Sequence, residues 1–368
     1  MIQIAIMGLG TVGTGVAKVV EENAREIERK LGEPLQVKTI LVRHFKDGPY
    51  RDRMTDDFGR IENDPDIRVV VETIGGVEAA YEYTRRALAA GKHVVTANKQ
   101  LVAEHGCELL SLAREKGVSY FFEASVGGGI PILHPLTECM AANRIDEVYG
   151  ILNGTTNYIL TRMVRTGASF ADALREAQEK GYAEADPTAD VEGISRLDLK
   201  DVKAAEQAGY RIKLLGRAVR LENGARSAYV SPHLIPEDTP LANVEDVFNA
   251  VVVRGNATGE VMFYGKGAGA LPTASACVAD VMEALQSGTR RTPLGWDPDP
   301  AGFVDPMELS GRWYVRTADS AERAEAVFGQ IQVLSEEDGT VFLTDEMTGR
   351  KAADLTAGLR TQACLRVL

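Results

Sequence analysis

A chain of 368 residues, 45% hydrophobic and 26% charged, has the composition of a soluble globular protein with room for two or three domains. Its net charge of −12 argues against a nucleic-acid partner, which needs clustered Lys and Arg. No run reaches the ~18 apolar residues of a membrane span, and the N-terminus lacks the regions of a secretory signal, so a cytoplasmic protein is expected.

Residues 2–7, IQIAIM, form a short apolar strand that opens into Gly8-Leu-Gly10-Thr11-Val12-Gly13, after which Val12, Val16, Val19 and Val20 recur with helical spacing. Strand, glycine turn and helix in that order point to a dinucleotide site. Gly8 permits the tight turn, Gly10 lets the backbone approach a diphosphate, and Gly13 lets helix and strand pack closely. A second strand, about Leu35 to Val42, ends in Arg43, followed by His44 and Lys46. A site preferring NAD carries an acid at that position, whereas a cation suits a 2′-phosphate. NADP is therefore the expected cofactor, with NAD possible, unless Arg43 simply faces solvent.

A strand from Arg68 to Ile74, a helix through Ala90 and a strand from Lys92 to Ala97 follow, ending in Asn98-Lys99. Alternation of strand and helix predicts a parallel sheet with its ligand at the carboxyl ends of the strands. Lys99 belongs at that edge, and Glu72 and Thr73 should line the same crevice. A helix over 104–116 and a strand over 118–123 complete this half. Residues 123–131, EASVGGGIP, carry three consecutive glycines. Carbonyl oxygens turned around a hard cation would fix such a loop, and an interdomain hinge is the alternative. A helix is expected from Ile132 to Asn143, then a strand from Glu147 to Leu152.

Residues 150–193 hold the densest polar chemistry. Asn153, Gly154, Thr155, Thr156 and Asn157 make a small polar turn before a helix expected to begin about Tyr158. Gly181 and Glu184 follow in a Gly-Tyr-Ala-Glu hook, and Glu184, Asp186, Asp190 and Glu192 set four carboxylates around Pro187. That arrangement suits a cationic amine; the alternative is a solvated acidic loop. Beyond it, a helix over 197–208, strands over 211–220 and 228–230, and further strands within 251–263 read as an antiparallel sheet suited to a dimer face. Gly265-Lys-Gly267-Ala-Gly269 precedes an apolar helix, 272–285, that can return the chain to the cofactor. Residues 289–306 read as a linker. The tail gives strand 312–317, helix 320–330, strands 331–335 and 340–344, helix 350–358 and strand 361–367, a ferredoxin-like order. The four cysteines, Cys107, Cys139, Cys277 and Cys364, lie far apart and read as reduced and buried, with no zinc spacing among them.

The segments GLGTVGTG, VVVETIGG, GKHVVTANK, EASVGGGIPI, GILNGTTNYIL, GYAEADPTADVEG and GAGALPTASA, in this order, resemble the homoserine dehydrogenase family over nearly residues 1–290. The resemblance implies an α/β fold: a Rossmann-type dinucleotide domain (1–133, rejoined by the helix near 270–286), an α+β substrate and dimerisation domain (134–288), a linker (289–308) and an ACT-like unit (309–368). It implies a homodimer or homotetramer that interconverts homoserine and aspartate 4-semialdehyde with NAD(P). Lys99 and Glu184 would be catalytic, with Gly181, Glu184, Thr156 and Asp190 binding substrate. Gly8, Gly10, Thr11, Val12, Gly13 and Arg43 would touch the dinucleotide, as would Thr73, Lys99 and Gly269. Glu123, Val126, Gly128 and Ile130 would hold a monovalent cation, sodium by expectation. One departure stands out. Family members continue past the Asp190-Val-Glu-Gly193 segment with an Asp and a Lys four residues apart, and here the chain runs into ISRLDLKDVK. A non-catalytic dinucleotide-binding relative is therefore a second expectation. A third, thioester chemistry at Cys139, lacks a histidine at helical spacing.

Overall fold

The computed structural model describes residues 1–180, 193–194, 197–286 and 302–368. The chain divides into two compact units, one of Met1–Ala141 with Lys266–Pro300 and one of Ala142–Gly265 with Ala301–Leu368.

In the first unit, β1 (Ile2–Met7), α1 (Thr11–Glu22), α2 (Ala24–Leu31) and β2 (Leu35–Leu41) lead to β3 (Met54–Thr55), α3 (Gly59–Glu62), β4 (Ile67–Glu72) and α4 (Glu78–Ala89). Strand β5 (His93–Thr96), helix α5 (Lys99–Lys116) and strand β6 (Tyr120–Phe121) follow. The sheet order is β3-β2-β1-β4-β5-β6 with parallel pairing throughout. The order reverses at β1, whose two neighbours lead away in opposite directions, so a crevice opens at the carboxyl ends of β1 and β4. Met7 aligns with Glu72, and Glu72 with Thr96. The apolar runs that mark β1 and β4 in sequence exist because both faces of this sheet are covered: Ile4, Ile6, Val69 and Val71 pack in one core, Ala5, Met7 and Val70 in another.

The second unit begins with β7 (Ile145–Ile151), α6 (Gly154–Thr166), α7 (Phe170–Glu179) and α8 (Leu199–Gln207), then β8 (Tyr210–Arg220), β9 (Arg226–Pro236), β10 (Phe248–Gly255) and β11 (Gly259–Lys266). Helix α9 (Ala270–Gln286) belongs to the first unit, where it packs along α1. Gly15 is what permits this: a Cβ there would lie 2.6 Å from the Ala270 carbonyl oxygen.

The tail supplies β12 (Ser310–Gly311), β13 (Trp313–Thr317), α10 (Ala321–Phe328), β14 (Ile331–Ser335), β15 (Thr340–Thr344), β16 (Met347–Thr348), α11 (Gly349–Thr356) and β17 (Thr361–Val367). Its main strands run β17-β13-β15-β14, the ferredoxin-like arrangement, but they do not stand apart. β17 pairs in parallel with β9, Arg366 opposite His233 and Val367 opposite Leu234, so one nine-stranded sheet, β11-β10-β7-β8-β9-β17-β13-β15-β14, runs through the unit. Alternation along the strands explains why both faces are apolar. Tyr314, Val341 and Leu343 join Ile159, Leu160 and Met163 of α6, while Trp313, Val315 and Phe342 pack with Ala324 and Phe328 of α10. A buried ion pair reinforces the first of these faces: Arg316 donates to both carboxylate oxygens of Asp201 on α8 at 2.7 and 3.0 Å, and Tyr314 Oη to one of them at 3.1 Å.

Several expected elements are redrawn. The helix expected over 132–143 is a five-residue π-helical turn, Pro135–Cys139, closed by the Met140 N–H on the Pro135 carbonyl at 2.9 Å. The strand expected over 118–123 shrinks to Tyr120–Phe121, because Glu123 turns into a 3-10 segment, Glu123–Ser125. The cysteines are free, but only Cys277 is buried; Cys139 and Cys364 are exposed. No helix among the described residues is long and apolar enough to cross a membrane.

Candidate functional site

At the carboxyl end of β1 the chain turns through Gly8 with φ +96°, a conformation that costs glycine little. The turn is locked against Thr73 at the end of β4. The Thr73 N–H donates to the Met7 carbonyl at 2.9 Å, and its hydroxyl lies 3.0 Å from the Met7 and Gly8 carbonyl oxygens. A Cβ on Gly13 would sit 2.0 Å from the Gly8 carbonyl oxygen and 2.8 Å from Thr73 Oγ1. Gly10 is different. It is exposed, and a Cβ there would meet nothing within 4 Å. It is the N-cap of α1 and supplies no side-chain cap, so the first-turn amides of Thr11, Val12 and Gly13 are available to an anion.

A cleft of about 710 Å³ opens here, lined by Gly8, Leu9 and Gly10, by Arg43, His44 and Lys46 beyond β2, by Asp56, and by Thr73, Ile74 and Gly75 beyond β4. Arg43, His44 and Lys46 are exposed. The rim therefore concentrates positive charge where a dinucleotide's ribose would follow the diphosphate. Glu72 corrects an expectation. Rather than lining the crevice, it is fully buried, because its strand position turns it into the sheet beside Thr96. Lys99 is exposed and opens α5, whose N-cap is Asn98.

The glycine loop after β6 is held from within. The Glu123 carboxylate accepts the N–H groups of Ile132 at 2.5 Å, Leu133 at 2.9 Å and His134 at 2.7 Å, and its own N–H donates to Asp280 of α9 at 3.0 Å. Glu123 thus caps the π-helical turn, and its oxygens are committed. Gly128 has φ +60°, and a Cβ on it would lie 2.0 Å from the Gly267 carbonyl oxygen. The Gly129 N–H donates to the Lys266 carbonyl at 3.2 Å and the Ile130 N–H to Gly127 at 3.0 Å. Gly269 precedes α9 with φ +128°. No cluster of three or more His, Cys, Asp or Glu able to hold a metal occurs among the described residues.

In the second unit, the small polar turn starts its helix earlier than expected. α6 begins at Gly154, with Asn153 as N-cap accepting the Thr156 N–H at 3.0 Å. Thr156 is 1% exposed and its hydroxyl donates to the Asn153 carbonyl at 3.1 Å, so it serves the turn instead of offering a hydroxyl to substrate. Asn157, also buried, donates to the carbonyls of Val244, Asp246 and Phe248 at 3.1–3.2 Å, and Lys213 donates to Val244 at 2.6 Å. Burial pushes Lys213 down to about 8. Gly181, Glu184 and Asp190 lie outside the described residues.

The family model described as homoserine dehydrogenase, NAD binding domain, matches residues 8–123, and the one described as homoserine dehydrogenase matches 131–195 and 191–282. The chain belongs to the homoserine dehydrogenase family. Among curated relatives, the homoserine dehydrogenase of Pseudomonas aeruginosa is 42% identical, over 92% of this chain and 86% of its own, and that of Neisseria gonorrhoeae 41%, over 90% and 85%. A solved homoserine dehydrogenase from Thiobacillus denitrificans superposes with a TM-score of 0.91 at 37% identity, covering 100% of this chain and 98% of the other. A hyperthermophilic archaeal homoserine dehydrogenase mutant in complex with NADPH matches with a TM-score of 0.63 at 28% identity, over 77% and 97%. The family model matches in two pieces that share residues 191–195, where the resemblance had lost its Asp-x-x-x-Lys helix. An ACT-like relationship for the tail is not among these matches.

Sequence reasoning read Asn157 only as part of a small polar turn and assigned no role to Asn98 or Lys213. Asn98 had a legible signal, an Asn immediately before a helical run. The other two act through carbonyls some 30 to 90 positions away, for which no local signal exists.

Proposed function

We propose that this chain is a nicotinamide-dependent oxidoreductase acting on the CH–OH of homoserine, reversibly giving aspartate 4-semialdehyde, with NADP preferred. The observation that carries the reading is the Gly8–Gly13–Thr73 cradle with Arg43 on the rim of its cleft, in a chain of this family. The dinucleotide would supply the hydride acceptor. The α1 amides receive the diphosphate, Arg43 receives a 2′-phosphate, and Lys99 takes up the proton of the reacting hydroxyl. Glu184, with the Gly181 backbone and Asp190, receives the substrate's ammonium. The carbonyl oxygens of Val126, Gly128 and Ile130 suit a sodium-like cation; the committed Glu123 carboxylate shapes that loop instead of ligating. The exposed Val230 and Tyr264 on β9 and β11 favour a homodimer through this sheet, which sedimentation reads.

A second reading is favoured by the split at residues 191–195: a relative that binds NADPH but turns over slowly or not at all, having lost the Asp-x-x-x-Lys pair. Homoserine-dependent NADP reduction, measured beside NADPH binding, separates the two. Turnover abolished by Lys99→Ala supports the first; tight binding without turnover supports the second. In either case Arg43→Ala should weaken NADPH about tenfold or more while leaving NADH unchanged, since a charge-assisted bond contributes about 1.5–3 kcal/mol. Equal loss for both cofactors would remove the argument for NADP.

A further inference from the structure

Glu72 has no part in the chemistry above, yet it sits at the centre of a hydrogen-bonded relay beneath the cleft. One carboxylate oxygen accepts the Ile74 N–H at 2.6 Å, and the other the Thr96 hydroxyl at 2.5 Å. The Thr96 oxygen in turn accepts the Asn98 N–H at 2.9 Å. The Asn98 side chain accepts the Leu101 N–H at 3.1 Å and donates to the carbonyls of Ile74 and Gly76 at 3.2 and 2.7 Å. The relay thus grips the 74–76 turn at both ends and fixes the first turn of α5. Ile74 and Gly75 line the dinucleotide cleft, and Lys99 opens that helix.

We infer that Glu72 is a positioning residue for the nicotinamide dinucleotide, and that its carboxylate form holds the cleft in the geometry that binds. The inference rests on reading the cleft as a dinucleotide site. Ionised, Glu72 accepts from the Ile74 N–H and the Thr96 hydroxyl, and the Asn98 side chain also favours its carboxylate. Protonated, one oxygen must itself donate, and the Thr96 hydroxyl has to reverse to receive it. If the proton sits instead on the oxygen that accepts the Ile74 N–H, the 74–76 turn loses that tie to the sheet. The surroundings leave this ionisation poised. Among the described residues Tyr120 from β6 and Cys277 from α9 feel Glu72, and burial pushes both up, so both are neutral. Met7 of β1 is apolar, and Thr96 and Asn98 are uncharged. No cation among the described residues offsets the carboxylate, and burial pushes it up to about 7.

The test is NADH affinity by nicotinamide fluorescence, chosen because NADH has no 2′-phosphate to titrate, at about pH 6 and about pH 8.5. The wild-type Kd should rise at least about threefold on acidification. Glu72→Gln should bind with a weakened, pH-independent Kd. Thr96→Val, which removes a bond that favours the carboxylate, should move the midpoint to higher pH, and it serves if Glu72→Gln does not fold. A wild-type Kd that does not change with pH, a pH dependence that survives in Glu72→Gln, or an unmoved midpoint in Thr96→Val would overturn the inference. Absence of NADH and NADPH binding at every pH would overturn the cofactor reading, and this inference with it.

Discussion

Two glycines of one motif should fail in opposite ways. A methyl group on Gly13 would lie 2.0 Å from a backbone oxygen, the Gly8 carbonyl. Ordinary contact begins near 3.4 Å, so α1 and the β1 turn must separate by about an ångström or more in a close-packed site. Because the obstacle is backbone, Gly13→Ala should cost near the top of the overpacking range, roughly 3 kcal/mol, or about 6–12 °C in Tm for a unit of this size. Gly10→Ala meets nothing within 4 Å, and Gly10 does not have a positive φ. Its intrinsic cost is that of a poorer N-cap, about 1 kcal/mol at most. It should instead obstruct the diphosphate and forfeit a bond to a charged group, weakening NADPH by about 10–100-fold. Thermal unfolding by circular dichroism without ligand, and NADPH titration of each variant, read the two effects separately. If the variants melted together, or if Gly10→Ala bound NADPH like the wild type, the assignment of fit to one glycine and approach to the other would be wrong.

The second unit offers two further tests. Lys213 is held by Val244 and Asn157, and burial lowers it from 10.5 to about 8. A lysine depressed in the fold binds fewer protons there than when unfolded. Stability should therefore rise as pH climbs from about 8 to about 10.5, by something on the order of 3 kcal/mol. Urea unfolding at the two ends of this range should show the rise in the wild type and its absence in Lys213→Met; parallel profiles would sink it. Asp201→Ala leaves buried Arg316 with the half-exposed Asp198 in place of its bidentate partner and should lower unfolding free energy by about 3 kcal/mol, the low end of the range for a broken buried pair, a loss under about 1 kcal/mol being the refuting result.

What the chain discloses before folding follows the range of the interaction. The glycine turn is legible because each requirement is local: a positive φ at Gly8, a crowded Gly13, an open Gly10. Arg43 is legible because a strand's end fixes its place. The tail strands at 331–335, 340–344 and 361–367 fall where alternation puts them. Their merger with the strands β7 to β11 is not legible, since it depends on the two-residue pairing of Arg366 and Val367 with a strand far back in sequence. Glu123 is similar. The family resemblance made it a cation ligand, and only the fold shows three amides converging on its carboxylate. Helix α6 was expected to begin where its apolar face begins, at Tyr158, whereas the Asn153 cap starts it at Gly154.

The return of α9 to the first unit constrains how the protein is made. Gly15 and α1 lie against Ala270 and Ala274, and Cys277, Val278 and Val281 fill the same core as Ile4, Ile6 and Val16. A ribosome reaches these residues only after synthesising all of Ala142–Gly265. Until then the nascent nucleotide fold has that face of its sheet covered only in part, by α1 and α2, so its completion waits on the emergence of the intervening lobe.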